Sequence, residues 1–255
     1  HKQCFWLRRS LYIYSYRKTI MKEVYIESIV TSSSENLDIK SLIPDANMRR
    51  RMTALNKGAT RIGIAAIKLS NITPETIITA TGYGFLNDSE KFLNDMLSSE
   101  QLSPTPFIKS TFTTVGSNVA TITKNNSANI TYVNGYQSFA DALLDAQMRL
   151  CIDDCKAILI IAFDEVTDTV LNIAKRIDKN TQRPSNNISA VAMVITANKT
   201  ERSVAHYSVG NLQQINIHQH LTIHTSELAI KLASHICDGK PDNPLADYGI
   251  NVTLI

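Results

Sequence analysis

The sequence predicts an α/β layered domain, a mixed sheet covered by helices, on three observations. Strand-like and helix-like patterns alternate along the chain, the order expected when helices pack on a sheet. Ala157–Phe163 is a continuous apolar run, which suits a strand buried on both faces. Asn129–Ala146 joins a β-branched strand, a turn dipeptide and an apolar helix without a gap.

The elements follow in order. Val24–Thr31 alternates apolar and polar side chains and breaks into three serines, a strand and then a loop. Met48–Leu69 places Met52, Leu55, Ala59, Ile62, Ala66 and Leu69 at helical spacing, so one long amphipathic helix is expected. Thr76–Thr81 is a short strand ending in Gly82-Tyr-Gly84, and Asn87 or Asp88 caps a helix through Leu97. Ser103-Pro-Thr-Pro106 reads as a rigid turn before a helix bearing Val119, Ala120 and Ile122.

In Asn129–Val133 the side chains suit a buried strand, and Asn134-Gly135 tolerates the positive φ of a tight turn. Phe139, Ala142, Leu143 and Ala146 then fall at i, i+3, i+4 and i+7, a helical stripe running to about Leu150. Ile188–Thr196 and Ser203–Leu212 are two strands joined at residues 198–202, expected as a hairpin. Ser226–Ile236 is a short helix stopped by Asp238-Gly239.

Composition narrows the function. The 255 residues are 44% apolar and 19% charged, an ordinary globular balance. No apolar run is long enough to span a bilayer, so no membrane partner is expected. Cys4, Cys151, Cys155 and Cys237 follow no disulfide framework and read as reduced thiols of a cytoplasmic protein. The formal charge of +3 comes from residues 1–20, which carry five basic side chains and no acid. That segment reads as a non-native or disordered leader before a start at Met21, without signal-peptide features. The weakly acidic remainder gives no reason to expect nucleic acid.

The strand–turn–helix at residue 134 is where α/β enzymes often raise a nucleophile on a strained turn, so Tyr136, Gln137 and Ser138 are the candidate elbow residues. Ser138 does not fit the Gly-x-Ser-x-Gly pattern of hydrolases. Gly82-x-Gly84 has the start of a dinucleotide fingerprint but Asn87 in place of its third glycine. His218, His220 and His224 are the best metal candidate, the first two sharing one face of a strand; the plain alternative is an exposed polar edge. Cys151 and Cys155 could share a helix face, more simply as packing. The Asn-x-Ser/Thr sequons, such as those at Asn125 and Asn129, are frequent by chance in an Asn-rich chain. Arg49, Arg50 and Arg51 stand at the start of the predicted long helix, where cations oppose the dipole. They are read either as a solvated turn or as a docking site for an acidic partner.

Residues 21–212 resemble the N-terminal half of the β-ketoacyl synthases, in the thiolase-like superfamily, and most closely the divergent β-ketoacyl-synthase-like N-terminal domain family. The resemblance rests on Met48–Ala59, Ser103–Phe107, Val115–Ala120, Asn129–Val133 and Ile188–Ile195, taken in that order. It implies a thiolase-like half-domain over 21–212, a short extension over 213–255, and a strand at Asn129–Val133 that pairs across a dimer. It sets Tyr136 where condensing enzymes carry the cysteine that accepts an acyl group as thioester. A register one residue later would match Gln137 to the glutamine of chain-length factors. The family's two C-terminal histidines have no counterpart after Leu212.

The resemblance therefore implies a non-condensing partner subunit, like a chain-length factor, in fatty-acid or polyketide-type biosynthesis, aryl-polyene pigments included. Its expected partners are acyl carrier protein, at Arg49–Arg51, and a competent ketosynthase or a second copy; no cofactor is expected. The alternatives are an active 3-oxoacyl-carrier-protein synthase-like acyltransferase or decarboxylase using a non-cysteine elbow residue, and a plain binding module.

Overall fold

The computed structural model describes residues 22–33, 38–98, 104–152, 155–177, 179, 186–210, 225–240 and 243–255. Its strands are β1 (Val24–Thr31), β2 (Thr76–Ala80), β3 (Ala128–Tyr132), β4 (Ala157–Glu165), β5 (Ile188–Thr196), β6 (Ala205–Val209) and β7 (Ile250–Leu254). Its helices are α1 (Ile39–Leu42), α2 (Ala46–Arg51), α3 (Ala54–Ser70), α4 (Leu86–Ser98), α5 (Pro104–Lys109), α6 (Thr114–Thr123), α7 (Ser138–Cys151), α8 (Asp168–Ile177) and α9 (Thr225–Asp238). The strands form one mixed sheet in the order β3-β2-β4-β5-β1-β6-β7. β2 runs parallel to β3 and β4, and every other pairing is antiparallel.

The α/β layered class is the one the alternating patterns predict. β4 is buried along its whole length, as its apolar run requires. Side-chain alternation sends Ile158, Ile160 and Ala162 into one core and Leu159, Ile161 and Phe163 into the other. α7 and α9 cover the first face with Phe139, Leu143, Ala146, Leu228 and Leu232. α3 and α6 cover the second with Leu55, Ala59, Ile62 and Val119. Residues beyond 212, expected as a short extension, supply α9 to the first layer and β7 to the sheet.

Four expectations are corrected. The long helix from Met48 to Leu69 is two helices: α2 stops at Met52, and Thr53 caps α3 by accepting from the Asn56 amide at 3.2 Å. The three arginines therefore lie in the last turn of α2, where cations favour the dipole. Ser103–Pro106 is not simply a turn, since Pro104 opens α5 at the first helical position, which costs no hydrogen bond. β3 is a sheet edge, with Ala128 and Asn129 exposed and Ile130–Tyr132 half-buried. Its β-branched residues suit any strand, and only its neighbours decide that one side is open.

The fourth correction concerns β5 and β6, which do not form a hairpin. Both pair antiparallel with β1 and so run parallel to each other, with β1 between them. The connection crosses β1 at its irregularity between Ile26 and Ser28, where the Val204 amide donates to the Ile26 carbonyl at 2.8 Å. Glu27 holds the crossing. Its buried carboxylate accepts from the hydroxyls of Thr196 at 2.8 Å, Ser203 at 2.7 Å and Thr200.

Glu27→Ala removes the acceptor of the Thr200 and Ser203 hydroxyls and leaves Thr196 only the Asn198 carbonyl, and we predict a loss of about 3 kcal/mol. The check is the urea midpoint at unchanged slope. A variant as stable as the parent would show that the crossing does not depend on Glu27.

Candidate functional site

In open α/β sheets ligands bind beyond the carboxyl ends of the parallel strands. Here β2, β3 and β4 end together, and the loops after them meet the N-terminus of α9. The turn after β3 is the first component. Gly135 has φ +55°, and a Cβ there would meet no atom within 4 Å, so glycine is needed for conformation alone. Asn134 stays at φ −133°, although both residues could have taken positive φ. Gly135–Gln137 then form a 3-10 turn that runs into α7. Gln137 (φ −82°) and Ser138 (φ −50°) are in ordinary helical conformation, so the strain expected of a nucleophile elbow is confined to Gly135.

Ser138 is fully buried. Its hydroxyl accepts from the Asn134 amide at 2.6 Å and lies 2.8 Å from the carbonyls of Thr81 and Gly135. It closes the turn and ties it to the end of β2. Tyr136 is half-buried against the α7–α9 core. It stands close enough to Tyr248 to help push that phenol up to about 12, after the larger effect of burial. Gln137 is half-buried, and its side-chain oxygen accepts from the Asn134 amide group at 3.3 Å.

The residue that gathers these loops is Asp164, buried near the end of β4. Its Oδ1 accepts from the Thr81 hydroxyl at 2.7 Å, the Gly82 amide at 2.9 Å and the Tyr83 amide at 3.0 Å. Its Oδ2 accepts from the Ser226 amide in the first turn of α9 at 3.2 Å. The amides a dinucleotide phosphate would need after β2 are therefore already used. Next to it, the buried Glu165 carboxylate accepts from the Asn87 backbone and side-chain nitrogens at 2.8 and 2.7 Å. Burial pushes its pKa up, and the Asn87 hydrogen bonds oppose that shift. Gly84 completes the loop at φ +67°, where an added Cβ would lie 2.2 Å from the Phe112 ring.

Outward from the turn, the open edge of β3 carries a polar cluster and an apolar residue. Asn134 donates to Asp141 at 2.9 Å, and Arg149 pairs with Asp145 at 2.9 Å. Burial first, then the Asp145 charge and hydrogen bond, push the Tyr132 phenol up to about 12. Val133, just past the strand, is 44% exposed.

The remaining candidates are dispersed. Arg49 donates to the Pro44 carbonyl at 2.7 Å and to the Ile43 carbonyl, while Arg50 and Arg51 are exposed. α7 ends at Cys151, so Cys155 lies beyond it, buried in the core. His218, His220 and His224 lie outside the described residues. Among the described residues no three His, Cys, Asp or Glu side chains converge as a metal site. Asp164 directly follows the apolar Ala157–Phe163 run, but nothing in the pattern marks its donors. Pattern reading missed Thr81, Ser226 and Tyr248 altogether, because their partners are remote in sequence.

The model of the β-ketoacyl synthase N-terminal domain matches residues 28–239. No curated protein sequence matches the chain. Among solved structures, a ketosynthase in complex with its chain length factor from Xenorhabdus doucetiae aligns with a TM-score of 0.57 and 16% identity over 79% of this chain and 92% of that one. The ishigamide ketosynthase/chain length factor aligns at 0.51 and 12% identity over 68% of this chain and 51% of that one. A β-ketoacyl synthase from Burkholderia phymatum aligns at 0.53 and 13% identity over 69% and 59%.

Two outcomes are expected. Ser138→Ala should cost about 2 kcal/mol, because the Asn134 amide loses its buried acceptor. A serine-directed acylating probe should also leave Ser138 unlabelled in the folded protein. Tyr132→Phe should remove a phenol that titrates near pH 12 from the absorbance at 295 nm. The folded pKa is the higher one, so this group's stabilisation is intact below pH 10, the ordinary tyrosine value, and is lost as pH rises towards 12. The pH-stability curve of Tyr132→Phe should lack that component.

Proposed function

The chain belongs to the β-ketoacyl synthase N-terminal domain family, and from that premise we propose that it is a non-condensing partner subunit of the chain-length-factor kind. It pairs with a competent ketosynthase in fatty-acid or polyketide-type biosynthesis, aryl-polyene pigment formation being one such pathway. One observation carries the reading. The turn where the family places its nucleophile holds Tyr136, an unstrained Gln137 and a Ser138 hydroxyl committed to the backbone. Thioester formation needs an activated thiolate, and this turn offers no thiol.

The pairing surface is the open edge of β3. An unpaired strand edge invites strand addition, and Val133 supplies apolar area beside it. That two of the similar structures are ketosynthases with chain length factors supports the same partner here. Acyl carrier protein docks at the arginine segment. Arg50 and Arg51 are exposed and serve as its charges, while Arg49 holds the loop before α2.

To test this, the full chain is incubated with acyl- and malonyl-loaded carrier protein, alone and with a condensing ketosynthase from the same source. We expect no covalent adduct and no carbon dioxide release alone, and a stable complex with the ketosynthase. An acyl adduct, or turnover lost on Tyr136→Phe or Gln137→Ala, would instead establish an active synthase-like enzyme. Val133→Asp should weaken the complex at least tenfold and leave the fold intact. Arg50→Glu with Arg51→Glu should weaken carrier-protein binding about tenfold at low salt and less at high salt.

A further inference from the structure

Asp164 is not explained by a strand's need to end. A buried carboxylate must be compensated by donors or cations, and among the partners of Asp164 are neutral donors from two separate segments. The Gly82 and Tyr83 amides are successive in the chain and meet one oxygen at 2.9 and 3.0 Å. Consecutive amides aimed at one point make an anion-binding concavity. The Thr81 hydroxyl joins them at 2.7 Å. Its oxygen also accepts from the Gly84 amide at 2.8 Å, which leaves its hydrogen for Asp164. The second oxygen takes the Ser226 amide at 3.2 Å, one of the orphan donors of the first turn of α9.

From this geometry we infer that Thr81, Gly82, Tyr83 and the amide of Ser226 form an anion hole that the chain fills with its own Asp164 carboxylate. Once Asp164 is shortened, the hole takes a small monocarboxylate such as formate or acetate. The donors belong to backbone and to a neighbouring hydroxyl, so they remain when the carboxylate is removed. Three donors at the position of one oxygen and one at the position of the other match a planar carboxylate better than a spherical halide. Thr81 also links the hole to the turn, since its carbonyl lies 2.8 Å from the Ser138 hydroxyl. While Asp164 is in place, these donors are not available to an oxyanion of any bound acyl group. The inference does not depend on the partner-subunit proposal.

The test is thermal unfolding of the full chain, of Asp164→Ala and of Asp164→Asn. Each is titrated with sodium formate, with sodium acetate, and with sodium chloride at matched ionic strength. Asp164→Ala should have a lowered Tm, and formate should restore at least half of the loss with a saturable, logarithmic dependence on concentration. Chloride should do so far less, and the parent protein should not respond. Asp164→Asn should also be destabilised, because its amide group meets the Ser226 donor with a donor. It should be insensitive to formate, because the hole is still filled. If Asp164→Ala cannot be isolated folded, its refolding yield with and without formate decides, and no recovery overturns the inference. Equal formate shifts in parent and variant would overturn it too, as would an Asp164→Asn protein as stable as the parent.

Discussion

A carboxylate buried at the end of a strand that is itself buried on both faces constrains the whole upper end of this domain. Asp164 cannot be solvated where β4 leaves it, so the chain brings it donors from the loop after β2 and from the start of α9. Those two segments are more than sixty residues away on either side. Their meeting sets where β2 ends, where α9 begins and, through Thr81, where the turn before α7 is anchored. The same satisfied network accounts for the absence of a poised hydroxyl at Ser138.

The structure uses a second buried carboxylate in the same way on β1, at the opposite end of the sheet. Glu27 sits at the strand's irregularity and collects the hydroxyls of Thr196 at the end of β5 and of Thr200 and Ser203 in the β5–β6 connection, which allows that connection to pass over β1. Polar satisfaction, not apolar pattern, chooses the chain's path at both points. The apolar pattern decides the layers, and the two acids decide how the strands and loops are joined around them.

The interior of the turn after β3 is occupied by hydrogen bonds and by Tyr136, whereas among the described residues no strand lies beside the outer edge of β3. The arginines show a similar division: Arg49 is used internally, and Arg50 and Arg51 face solvent.

The sequence by itself did not mark α1, α5, α8 or β7, but it determined most of the strands and helices, because periods of 2 and 3.6 are local properties. The two-sided burial of β4 and the apolar stripe of α7 were legible for that reason, as was the turn at Gly135. The strand order was not. β1 lies between β5 and β6, β3 is at the edge, and β7 joins the sheet, all through pairings between distant residues that a linear pattern does not encode. The break at Met52-Thr53 was hidden because the apolar stripe continues across it, and only the Thr53 cap marks the change of direction. The turn itself could be located from its neighbours in sequence, while the state of Ser138 and the donors of Asp164 depended on groups that only folding brings within 3.2 Å.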